Sequence, residues 1–206
     1  MHVSLRRAAL GTALLIAALL AGLAAYRYGV PPRYAGPLSP PPNPPAPAEL
    51  ALKVFDPARP LPAVRFADAG GRERTLREFR GRVVLLDIWA TWCAPCRKEM
   101  PSLDRVESTL GAADFVVLPV SIDRTGMAAV APFYRALGIR NLAPYLDPLG
   151  RGTSALTIPG VPTTLLVDRS GRMVARKVGG AEWNSPPMVA LIRRYLPGAA
   201  AAADRR

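Results

Sequence analysis

Val83-Val84-Leu85-Leu86-Asp87-Ile88-Trp89-Ala90-Thr91-Trp92-Cys93-Ala94-Pro95-Cys96-Arg97-Lys98-Glu99-Met100-Pro101 is the stretch on which the reading of this chain turns. Its first part is apolar and rich in β-branched residues, the pattern of a strand buried on both faces of a sheet. Its last part opens a series, Met100, Leu103, Val106 and Leu110, at helical spacing that Gly111 stops. Between them stand the chain's two cysteines, Cys93 and Cys96. The pair therefore sits at a helix start, where free N–H groups and the positive end of the helix dipole face the first sulfur. A thiolate is stabilised there, and in such motifs the thiol pKa falls from about 8.5 to about 7 or lower. This setting predicts Cys93 as the exposed attacking sulfur and Cys96, one turn in, as the buried resolving one. Cys93 would attack a partner disulfide, and Cys96 would then break the mixed disulfide.

Two quieter uses of the pair compete with this one. In a zinc site it would supply two ligands, but the chain's one histidine is His2 and no other thiol exists, leaving carboxylates alone to complete a tetrahedron. As a structural bridge it would close so small a loop that it would constrain the unfolded chain little.

Outward from this stretch, Ala63–Phe66 and Arg72–Thr75 flank Asp68-Ala69-Gly70-Gly71, the pattern of a β-hairpin. Leu76–Phe79 reads as one helical turn, Phe115–Ile122 as a second buried strand and Met127–Leu137 as a helix ended by Gly138. Thr163–Val167 and Met173–Val178 read as strands around the turn Asp168-Arg169-Ser170-Gly171. A last helix begins at Ser185-Pro186 and is expected to turn Val189, Ile192, Tyr195 and Leu196 inward. This order implies an α/β domain over residues 50–197, with a mixed central sheet between two helical layers and the hairpin as an N-terminal extension. Residues 198–206 read as a disordered tail.

The first 28 residues carry Arg6 and Arg7 before an uncharged apolar run from Ala8 to Ala25, 18 residues long. That is at the short end of a bilayer-spanning helix, about 17 to 25 residues. A cleaved signal would have a shorter core, and its small-x-small site is matched only weakly by Gly22-Leu23-Ala24. One transmembrane anchor is therefore expected. Residues 29–49 follow as a spacer, with nine prolines between Val30 and Pro47; proline fixes φ and lacks the donor, so this segment suits a semi-rigid stalk. The formal charge is +12, yet the basic residues are scattered, and all but Lys53, Lys98 and Lys177 are arginine. Without a basic run or patch, nucleic acid is not expected as a partner.

The segment from Leu85 to Pro101 resembles the active-site segment of membrane-anchored thioredoxin-like proteins of the TlpA type, whose relatives include the cytochrome c maturation thioredoxins. Gly160-Val161-Pro162-Thr163-Thr164 is similar to that family's second signature, a proline loop facing the Cys-x-x-Cys. The resemblance implies a thioredoxin-like fold and disulfide oxidoreductase chemistry without a cofactor beyond the Cys93–Cys96 pair. It implies that Pro162 is a cis-proline and that the Val161 backbone pairs with an extended substrate segment. Trp92, Ala94 and Pro95 would complete the docking face. Asp87 matches the carboxyl that thioredoxin buries behind its cysteines, a proton shuttle for Cys96; asparagine is commoner there among anchored relatives. Glu99 matches a glutamate that tunes the thiols or contacts substrate in some cytochrome-maturation relatives, and a solvated helix glutamate is an equal alternative. Trp89 reads as core, and Trp183 has no assignable role.

The resemblance places a single-pass protein in the inner membrane with its catalytic domain in the periplasm. It names as partners apocytochrome c or copper-site assembly proteins, with a membrane thiol donor recharging the pair. No histidine lies between the cysteines to over-stabilise the reduced form, so reduction is the expected direction. A copper chaperone, and a disulfide oxidant or isomerase, remain as alternatives.

Overall fold

The computed structural model describes residues 52–197. Its strands are β1 (Leu52–Pro60), β2 (Arg65–Asp68), β3 (Glu73–Thr75), β4 (Val83–Trp89), β5 (Phe115–Ser121), β6 (Tyr145–Leu146), β7 (Thr163–Val167) and β8 (Arg172–Val178). The helices are α1 (Ala94–Leu110), α2 (Met127–Leu137) and α3 (Pro186–Arg193), with 3₁₀ turns at Leu76–Phe79 and Ser154–Leu156. The expected anchor, spacer and tail lie outside the described residues. Within them, no helix is long and apolar enough to cross a membrane.

The strands form one mixed sheet in the order β1-β8-β7-β4-β5-β6-β2-β3. β4 lies inside it, parallel to β5 and antiparallel to β7, with all seven residues buried. That is why its sequence runs apolar without alternation. Its odd-numbered residues face one side of the sheet and its even-numbered ones the other. Val83, Leu85 and Trp89 join the core under the helices, while Val84, Leu86 and Ile88 join the core of the opposite face.

Several elements depart from expectation. The hairpin strands are shifted to Arg65–Asp68 and Glu73–Thr75, and the second buried strand stops at Ser121, where the chain turns away to Asp123. Two strands carried no signal: β1, an edge strand broken by an irregular register between Val54 and Arg59, and β6, two residues long. The expected two helical layers are one. Residues of α1, α2 and α3 all enter the same core. The crossovers β4–α1–β5 and β5–α2–β6 step across the sheet in the same direction, and right-handed crossovers of that kind place both helices on one face. The 3₁₀ turns contribute Leu76, Phe79 and Leu156 to the other face instead.

The helix ends follow sequence closely. α2 stops at Gly138, which takes the left-handed conformation at φ 66° that closes a helix without a Cβ clash. Ser185 stands at the α3 N-cap with Pro186 next, though its side chain makes no capping hydrogen bond. In α3 the buried side chains are Met188, Leu191 and Ile192. Val189 is only half-buried, whereas Ile192 is buried and Tyr195 and Leu196 pack against the same core, as expected.

Candidate active site

The site is built where β4 hands the chain to α1. Thr91 in that connection is held from both sides: its N–H donates to Asp123 Oδ2 at 2.9 Å and its hydroxyl to Oδ1 at 2.7 Å. Asp123 is itself fixed by the Ser121 hydroxyl at 2.7 Å. The turn before the cysteines is thus tied to the end of β5. Cys93 is the N-cap of α1, and its sulfur accepts the Cys96 N–H at 3.2 Å. The first turn holds no acidic residue, Pro95 occupies a first-turn position, and Arg97 and Lys98 follow. Donors, dipole and cations all favour negative charge on Cys93 once the pair is reduced.

Cys93 and Cys96 are joined as a disulfide, Sγ–Sγ 2.07 Å. Cys96 is fully buried and Cys93 is 5% exposed. The ranking is the expected one, but Cys93 is far less open than expected. Gly180 lies against the turn, where an added Cβ would meet the Pro95 carbonyl oxygen at 3.3 Å, and Cys93 belongs to the core that Val161 and Ala181 pack against. Trp92 is 67% exposed beside it, and Ala94 and Pro95 are exposed as well. Pro162 is cis and buried, Val161 half-buried, and the ladder between β7 and β8 begins only at Thr163. The Pro162 carbonyl accepts the Gly179 N–H at 2.9 Å, which ties the proline loop to the segment covering Pro95.

Behind the disulfide lie two buried carboxyls. Asp87 is fully buried; its Oδ1 accepts the Thr164 hydroxyl at 3.0 Å and its Oδ2 has no partner. Burial pushes Asp87 up to about 7, against the pull of the Thr164 hydrogen bond. Glu99 is 2% exposed, so the solvated alternative is excluded. Its Oε2 accepts the Ala181 N–H at 3.0 Å and the Trp183 indole N–H at 3.2 Å, while Oε1 is unpartnered. Burial first, and the nearby Asp87 charge second, push Glu99 up to about 9. Two desolvated carboxyls that repel one another can hold a proton near neutral pH and give it up on demand.

Sequence reasoning missed Trp183, Ser102, Asp123 and Thr164. Ser102 accepts the Trp183 N–H at 3.0 Å and donates to the Glu99 carbonyl at 2.7 Å, locking the 181–183 segment onto α1. The only sequence signal would have been polar residues at core-facing positions of α1, and Glu99 and Ser102 flank Met100 without breaking its helical pattern. Trp183 is 2% exposed, and Trp183→Phe keeps most of the ring while removing the donor to Glu99. A loss of about 1 kcal/mol in urea unfolding is expected, the net weight of one hydrogen bond, since Oε2 keeps the Ala181 N–H; an unchanged midpoint would show the bond to be without weight. Among the described residues, no group of three or more histidine, cysteine, aspartate or glutamate side chains is placed to hold a metal ion.

Comparison with known proteins agrees with this geometry. The family model described as Redoxin matches residues 57–192. A thiol-disulfide oxidoreductase ResA of Bacillus thuringiensis (strain Al Hakam) is 28% identical over 115 residues, 54% of this chain and 64% of that protein. The match thus spans less than two thirds of the relative's length. The thioredoxin domain of a Bacteroides vulgatus thiol-disulfide oxidoreductase superimposes with TM-score 0.57 at 25% identity, over 68% of this chain and 96% of that one. A thiol:disulfide interchange protein from Bacteroides sp. does so with TM-score 0.57 at 25% identity, over 69% and 91%. With a thioredoxin-like mixed sheet, a disulfide at the start of α1 and a family match across most of the described residues, the chain belongs to the Redoxin family.

Proposed function

We propose that this protein is a membrane-anchored thiol–disulfide oxidoreductase that reduces disulfides of client proteins outside the cytoplasm. The observation that carries it is the Cys93–Cys96 disulfide at the first turn of α1 with Asp87 and Glu99 buried behind it. In the reduced protein, the Cys93 thiolate attacks a client disulfide. The Cys93–client bond forms and one client sulfur leaves as a thiolate. Cys96 gives its proton to a buried carboxylate and attacks Cys93 Sγ. The Cys93–Cys96 bond re-forms, and the second client sulfur leaves with the electron pair. Two electrons pass from the protein to the client.

The client strand lies along Val161 and Pro162, whose backbone precedes the β7 ladder, and rests against Trp92, Ala94 and Pro95. The reaction needs no cofactor beyond the cysteines. The similarity to TlpA-type proteins supports apocytochrome c or copper-site assembly proteins as clients, a membrane thiol donor for recharging, and inner-membrane anchoring with the domain in the periplasm. A Cys96→Ser chain expressed in membranes should stop after the first attack and accumulate a client joined to Cys93, which non-reducing gels and mass spectrometry would identify. Absence of any mixed disulfide, with the wild type folded and reduced, would sink the reading.

A further inference from the structure

Strand pairing gathers three of the basic residues that lie scattered along the sequence. Lys53 on β1 stands directly opposite Arg176 on β8. Arg176 in turn faces Leu165 of β7, which belongs to the core on the sheet face turned away from the helices. Directly opposed residues share a sheet face, so both cations project there. Phe55, two residues beyond Lys53, enters the same core. Its ring carries two charges, with the Lys53 ammonium 5.6 Å from the centroid and the Arg59 guanidinium 4.6 Å from it. Like charges directly opposed across an antiparallel pair are destabilising. Yet among the described residues none of the three cations meets a carboxylate, whereas Arg65, Arg74, Arg105 and Arg169 each do.

Lys53, Arg59 and Arg176 line one cavity of about 330 Å³, whose walls include Phe55, Leu156 and Met173 and no acidic side chain. Arg176 is half-buried; its Nη2 donates to the Leu156 carbonyl at 2.8 Å, while its buried Nε has no partner. A buried donor left unmatched is costly, and an acceptor entering the cavity would satisfy it. Thr157, also on the cavity wall, is held in the left-handed region at φ 48°, a strained conformation for a β-branched residue. The cavity and Cys93 lie on opposite faces of the sheet, in contact with different cores.

We propose that this cavity is a second binding site, one that takes the phosphate group of an organic phosphate ester. Two guanidinium forks match phosphate oxygens in geometry, and the ammonium adds a point charge. A carboxylate would leave the cations in excess, whereas a phosphate monoester brings about −1.5 to −2 charges near neutral pH and three acceptor oxygens. The volume and the apolar walls exceed what phosphate alone fills, so the organic part of the ester rests on Phe55, Leu156 and Met173. A soluble ester and a phospholipid headgroup present the same group to these residues. The inference is independent of the oxidoreductase reading.

The test titrates the full chain, in non-ionic detergent, with sn-glycerol 3-phosphate and separately with dihexanoyl-phosphatidylglycerol, followed by calorimetry. Saturable one-to-one binding of at least one of them is expected. Lys53→Gln combined with Arg59→Gln should weaken it by a factor on the order of 10 to 100, the weight of hydrogen bonds to charged groups. Both side chains are exposed, so the double variant keeps its core. Arg193→Gln removes an exposed charge from α3, on the helical side of the sheet, and should leave the affinity unchanged. Binding of glycerol 3-phosphate identifies a soluble ester as sufficient, and binding of the lipid alone identifies a headgroup. Absence of saturable binding by either, no weakening in the double variant, or equal weakening in Arg193→Gln overturns the inference. Disulfide exchange should be the same in all these proteins, and its absence from the wild type would strike the oxidoreductase reading instead.

Discussion

Cys93→Ser is expected to abolish disulfide exchange, lowering the rate of reduction of an exposed protein disulfide by a factor on the order of 10³ or more, the scale seen when a nucleophile is removed. A serine hydroxyl stays protonated at neutral pH, so the first-turn N–H groups and dipole have no anion to stabilise. Cys96→Ser should behave differently, because the first attack survives and the release does not. The structure accounts for the asymmetry: Cys93 keeps a 5% opening beside exposed Trp92, and Cys96 is sealed. A client sulfur can therefore approach one end of the bridge only. Stopped-flow measurement of one attack per protein in Cys96→Ser, and none in Cys93→Ser, would fit this assignment. Equal first-phase rates in the two variants would refute it.

Stability should fall as pH rises from about 5 to about 8, opposite to the usual behaviour of ion-paired carboxylates. Asp87 and Glu99 both sit above their ordinary values, Asp87 at about 7 and Glu99 at about 9, mainly because burial penalises the charged form. The folded state thus holds protons that the unfolded chain has released. Their contribution is fully present below the unfolded values, near 4, and is lost as pH climbs through the folded ones. For Asp87 the interval runs from the ordinary 3.8 to about 7, and at about 1.4 kcal/mol per pH unit the loss is at most on the order of 4 kcal/mol. Urea unfolding of the oxidised chain should show the decline. In Asp87→Asn combined with Glu99→Gln the pH dependence should flatten, leaving the variant more stable than wild type near pH 8. A wild-type midpoint constant or rising across this range would mean that the carboxyls are not desolvated as described.

The fold was legible wherever a signal is local. The uninterrupted apolar run Val83–Trp89, the stripe through Met100, Leu103 and Val106, and Gly138 after Leu137 each report a period or a stop within a few residues. β6 was not legible, because two residues carry no period; Tyr145 and Leu146 are a strand only through their partners on β5 and β2. The single helical layer was likewise hidden, since it depends on the direction in which two crossovers step.

The same division runs through the site. Residue order alone determined that two sulfurs stand at a helix start, with Asp87 six residues before them in a buried strand and a proline loop further on. Only the tertiary structure decided whether Glu99 faces water or the core. Its partners Ala181 and Trp183 lie more than eighty residues away, and Lys53 stands opposite Arg176 only because β1 pairs with β8. Helix periodicity tells which way a side chain points, but the cost of burying its charge depends on what the rest of the chain brings against it.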